Sequence, residues 1–157
     1  MQLINTIREQ LSEAWIPNIY VQKVRSVRTR SHHLDIPERE NRIEIMFTLL
    51  GIELKVGNKR FSCPDLATAR YLQVFARLGC RDVAVPYDIT QISPVADDLE
   101  TAWQRMLLVV AHERADRPAQ TLGKMRAALI RQIRQEVGEI GAGELMPEFK
   151  KSTKQRT

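Results

Sequence analysis

RIEIMFTLLGIELKVGNKRFS, residues 42–62, decides the fold. From Arg42 to Leu50 the residues Ile43, Ile45, Phe47 and Leu49 alternate with Glu44, Met46 and Thr48. That period of two belongs to a strand buried on one face. Gly51 interrupts it, and Ile52, Leu54 and Val56 then alternate with Glu53 and Lys55. Gly57-Asn58 suits a tight hairpin turn, after which Lys59 to Ser62 returns as a short strand.

Downstream, Ser62 with Asp65 has capping-box spacing and Pro64 suits a first helical turn, so a helix is expected to run to Leu78 and stop at Gly79. Its buried face is Ala67, Tyr71, Val74, Phe75 and Leu78. Val83 to Tyr87 reads as another short strand, with Pro86 marking an edge or an end. Ser93-Pro94 is expected to open a long helix that buries Val95, Leu99, Ala102, Trp103, Met106, Val109 and Val110. Asp116 and Pro118 open a last helix packed through Leu122, Met125, Leu129 and Ile133, with Lys124, Arg131 and Arg134 as a basic outer ridge and Arg126 as a packing or ion-pair residue.

Upstream, Leu3, Ile7, Leu11 and Trp15 recur every four residues, an amphipathic helix expected to end at Pro17. Ile19 to Arg30, β-branched and aromatic and then basic, reads as a strand running into a basic loop with Lys23, Arg25, Arg28 and Arg30. The fold class is α/β (α+β): a small mixed sheet of about four strands flanked by an N-terminal helix, a central helix and two long C-terminal helices. Residues 1–143 form one domain, and residues 144–157, with Lys150, Lys151, Lys154 and Arg156, form a basic, flexible tail.

A chain of 157 residues with 43% hydrophobic and 27% charged residues has the composition of one globular domain. The longest apolar run, Met106 to Ala111, is far too short to span a membrane, and no signal-peptide pattern opens the sequence. Two cysteines, Cys63 and Cys80, without metal-finger spacing read as small buried thiols in a cytoplasmic protein. The net charge of +5 favours an anionic partner, DNA or RNA being the commonest, and Lys23, Arg25, Arg28, Arg30, Lys124, Arg131 and Arg134 are the candidate phosphate contacts. No phosphate-loop, dinucleotide or nucleophile-elbow motif is present. His32-His33 beside Asp35 is a poor chelate, because neighbours on an extended segment face opposite ways.

Alternation puts Glu53 and Lys55 on one face of their strand. In metal-dependent phosphodiester cleavage a carboxylate holds a divalent cation while a lysine stabilises the phosphate or orients the attacking water. A second carboxylate is needed, and Glu44 and Asp35 are the candidates. The same charges equally fit a solvated sheet surface that resists aggregation.

On these residues the stretch from Ile43 to Ile89 resembles the core of the PD-(D/E)xK, or restriction-endonuclease-like, nucleases, with Glu53-Leu54-Lys55 at the E-x-K positions. Glu44 stands where that family usually has aspartate, and Glu9 or Glu13 matches the acid some members carry on an N-terminal helix. The resemblance implies a Mg²⁺-dependent nuclease with Glu53, Lys55 and either Glu44 or Asp35 as catalytic residues, and Glu44, Asp35 and Glu53 as metal ligands. The competing expectation is a non-catalytic scaffold or assembly partner that binds another protein or a second copy through its C-terminal helices, with Leu108, off the main apolar arc of its helix, as a subunit contact.

Overall fold

The computed structural model describes residues 2–113 and 118–144. Asp116 and the basic tail from residue 145 lie outside the described residues. The chain is a mixed α+β protein with helices α1 (Gln2–Leu11), α2 (Ile16–Ile19), α3 (Leu66–Leu78), α4 (Ile89–Glu113) and α5 (Ala119–Ile140). The strands are β1 (Thr29–His33), β2 (Ile43–Thr48), β3 (Gly51–Val56), β4 (Lys59–Cys63) and β5 (Asp82–Pro86). Among the described residues no helix is long and apolar enough to cross a membrane.

The strands do not join in one mixed sheet. β2, β3 and β4 form an antiparallel meander, in register from Ile43 opposite Val56 to Thr48 opposite Gly51, and from Ile52 opposite Cys63 to Val56 opposite Lys59. β1 and β5 pair antiparallel by themselves, Thr29 opposite Pro86 and His33 opposite Asp82. Two phenols account for the separation. The Tyr20 hydroxyl accepts from Ala84 N at 3.0 Å, and the Tyr71 hydroxyl donates to Ala84 O at 2.6 Å. These side chains take the backbone groups that a third strand would need.

The segment read as a strand from Ile19 is helical instead. α2 continues through a wider turn over Tyr20–Val24, and the strand begins only at Thr29. Ile16, Ile19, Tyr20 and Val24 are all buried, a helical spacing whose packing outweighs β-propensity. Pro17 starts this helix rather than ending the one before it; α1 stops at Leu11, and Ser12 takes a left-handed φ of 52°.

α3 is capped by Asp65, not Ser62: the Asp65 side chain accepts from Thr68 N at 2.7 Å. At its other end Gly79, at φ +81°, lets Gly79 N and Cys80 N donate to Ala76 O and Phe75 O. α4 starts at Ile89 with Pro94 inside it, where the Asp88 carboxylate accepts from Thr90 N and Oγ1. Buried Leu54, Val56 and Cys63 on the inner face of the meander share a core with Tyr71, Leu72, Phe75 and Leu78 of α3 and Leu99, Trp103 and Met106 of α4. Cys63 and Cys80 are buried free thiols, and burial pushes Cys80 up to about 12.

Candidate functional site

With Leu54 and Val56 turned to the core, Glu53 and Lys55 take the outer face of the meander. Glu44 stands opposite Lys55 in register, Lys55 opposite Arg60, and Glu53 opposite Met46 and Ser62. Glu44, Glu53, Lys55 and Arg60 therefore share one surface. Glu44 and Glu53 are diagonal neighbours, at a separation long side chains can span.

Glu53 is the anomaly on this surface. Its side chain is only 21% exposed, and Oε1 is shielded from solvent with no hydrogen-bond partner. Arg60 Nη1 lies 3.5 Å from that oxygen, an ion-pair distance without hydrogen-bond geometry. A shielded carboxylate oxygen without a hydrogen-bond donor costs free energy, which the nearby Arg60 charge offsets.

Asp35 is not brought to this surface. Lys59 Nζ donates to Asp35 Oδ2 at 2.7 Å and to Asp35 O at 3.0 Å. Lys59 lies opposite Val56, on the inner side of the strands, whereas Glu53 and Lys55 face outward. The hydrogen bond from Lys59, with its charge, holds the exposed Asp35 carboxyl below its usual range. Glu9 and Glu13 are exposed on the N-terminal segments rather than on the sheet. His33 Nδ1 pairs with Asp82 Oδ1 at 2.7 Å, whereas burial, aided by Arg30 and His33, lowers the His32 pKa. Among the described residues no group of three or more His, Cys, Asp and Glu side chains is placed to hold a metal ion by itself.

Several of the expected phosphate contacts are engaged internally. Lys23 pairs with Asp98, and Arg25 donates to Thr29 Oγ1 and Gly143 O. Arg28 lies 4.2 Å from the Tyr87 ring centroid. Arg134 leaves the outer ridge and donates to Leu78 O at 2.9 Å, closing the end of α3. Arg30, Lys124 and Arg131 remain exposed. Arg126 makes a two-pronged ion pair with Glu40, in keeping with its place on the apolar arc.

Two open clefts border the meander. One, of about 470 Å³, is lined by Arg42, Ile43, Glu44, Lys55 and Gly57. The other, of about 390 Å³, is lined by Glu40, Asn41, Arg42, Ile43, Arg77 and Arg126. They meet at Arg42 and Ile43, so an outer-face lysine and an α3 arginine border one continuous surface. Sequence reasoning missed Arg42 and Arg77. The available signal was Arg77 lying one heptad from Arg70 on a helix that is otherwise largely apolar. Comparison of the chain with known protein families, curated proteins and solved structures finds no match, so the reading of this surface rests on its own geometry.

Proposed function

We propose that the chain is a nucleic-acid-associated protein of the reducing cytoplasm, and that the outer face of its meander cleaves phosphodiesters with Mg²⁺. The observation that carries this reading is the shielded Glu53 Oε1, ion-paired with Arg60 but without a hydrogen bond, beside Lys55 and diagonal to Glu44. Mg²⁺ is commonly held by one or two carboxylates together with water and substrate phosphate, so Glu53 and Glu44 suffice as its protein ligands. Bound there, the cation would supply Lewis-acid polarisation of the phosphate and a water of lowered pKa.

The remaining work belongs to the chain. Lys55 offsets the charge that develops on the non-bridging phosphate oxygens. Arg60 positions Glu53, and Arg42 in the adjoining cleft attracts the substrate. Asp35, held by Lys59, takes no part.

The test is incubation with DNA and RNA in Mg²⁺ or Mn²⁺. Lys55→Ala and Glu53→Gln should each lower the cleavage rate about 100-fold or more. Cleavage that survives both substitutions, or its absence in the wild type, sinks the catalytic reading.

A second reading, an assembly partner that binds another protein, is favoured by one observation. At the β2–β3 turn Phe47, Leu49 and Leu50 are 71%, 106% and 94% exposed, a concentration of apolar surface that a solvated turn does not need.

A further inference from the structure

α3 ends against the segment that leads into β2. Asn41 N donates to Arg77 O at 3.0 Å, and Asn41 Nδ2 donates to Pro37 O and Ala76 O. Arg81 Nε donates to Ile36 O at 2.7 Å. These bonds tie the backbone beside Arg42 to the end of α3, and Arg42 and Arg77 both line the cleft of about 390 Å³.

Arg77 and Arg126 both lie against the buried Trp103 indole, their guanidinium carbons 5.4 Å and 5.6 Å from the ring centroid. Two like charges around one ring repel each other; Glu40 forms its ion pair with Arg126 and, with Glu100, also attracts Arg77. Arg77 is half-buried and makes no ion pair among the described residues. Burial and the Arg126 charge lower its pKa despite attraction from Glu40. A half-buried guanidinium without an ion pair keeps donors free for an anion.

We propose that Arg42 and Arg77, which line one cleft beside the meander, form a subsite for one backbone phosphate of a nucleic acid whose chain continues past Arg42 along Lys55. The subsite rests on the nucleic-acid reading above and adds how the strand is held. A planar guanidinium offers paired donors suited to phosphate oxygens, and Arg42 supplies a second cation in the same cleft. Trp103 is buried beneath the arginines and offers no face for a base, so recognition here is of the backbone and independent of sequence.

The experiment measures binding of a fluorescein-labelled mixed-sequence DNA duplex by anisotropy over a range of salt, without divalent cation, alongside thermal unfolding. The proteins are wild type, Arg77→Met and Arg42→Gln. Each variant should weaken binding about tenfold and lower the slope of log K against log [salt] by about 0.9, the value of one lost phosphate contact. Arg77→Met keeps an apolar stem against Trp103, so its melting midpoint should stay close to that of the wild type. Arg42 is exposed, so Arg42→Gln decides the matter if Arg77→Met fails to fold. A duplex bound equally well by all three proteins, with equal salt slopes, overturns the subsite and leaves the nucleic-acid reading standing. Failure of the wild type to bind duplex overturns both, and a lowered midpoint in Arg77→Met with Arg42→Gln unaffected marks Arg77 as structural.

Discussion

The two sheets manage their edges in opposite ways. The β1–β5 pair is closed along β5: Ala84 gives its N–H to Tyr20 and its carbonyl to Tyr71, and Tyr20 in turn donates to Gly141 O at 2.6 Å. The meander is open, with β2 and β4 as free edges, charged side chains on its outer face and Phe47, Leu49 and Leu50 at its tip. Buried polar groups that are all paired hold one arrangement rigidly. Shielded or apolar groups left without partners mark where something else is to bind. The closed sheet is framework, and the open one carries the candidate function.

The largest expected effect tests the closed side. Tyr20→Phe removes the partner of Ala84 N and of Gly141 O together, and should cost about 2–3 kcal/mol in urea unfolding. A cost within experimental error would mean that the phenol does not seal the edge.

A smaller, pH-dependent effect comes from Glu136, which accepts from Trp15 Nε1 at 2.8 Å, from Gln132 Nε2 at 2.7 Å and from Arg8. Burial pushes the Glu136 carboxyl up, but the hydrogen bonds from Gln132, Trp15 and Arg8, with the Arg8 charge, outweigh it and leave the group below its usual value. The folded pKa therefore lies below the unfolded value of about 4.3, so the stabilisation is complete above that pH and is lost as pH falls through the folded value. Glu136→Gln should cost about 1 kcal/mol near neutrality and show a shallower loss of stability in acid. Parallel acid-unfolding curves for the two proteins would contradict this.

The smallest effect tests the open side. Leu49→Ser with Leu50→Ser should change stability by less than about 0.5 kcal/mol, because both side chains lie outside the core. The same pair should abolish any self-association or partner capture seen by light scattering, as the assembly reading requires. A large loss of stability would show that the tip is packed rather than open.

The meander was legible because alternation, Gly51 and the Gly57-Asn58 turn agree with one another and with burial of Leu54 and Val56. The buried face of α3 and its stop at Gly79 were legible for the same reason. The helix through Tyr20 was not, since Ile19, Tyr20 and Val21 have strand propensity and only packing against distant elements selects the helical spacing. The division into two sheets was also hidden, because it depends on hydroxyls meeting Ala84 from 64 residues before it and 13 before it. At the candidate site, alternation placed Glu53 and Lys55 together, and the hairpin register added Glu44. That Asp35 would be taken by Lys59, and that Arg77 would line one cleft with Arg42, depends on where a loop docks on α3, which no local pattern encodes.

The bonds from Trp15 to Glu136 and from Tyr20 to Gly141 each span 121 residues. The ribosome releases this indole and this phenol long before their acceptors exist, so through most of synthesis both groups must be satisfied by water. The meander and α3, whose pairings are local in the chain, need no such delay. Among the described residues, the meander and α3 are therefore complete in sequence well before the framework behind them can close.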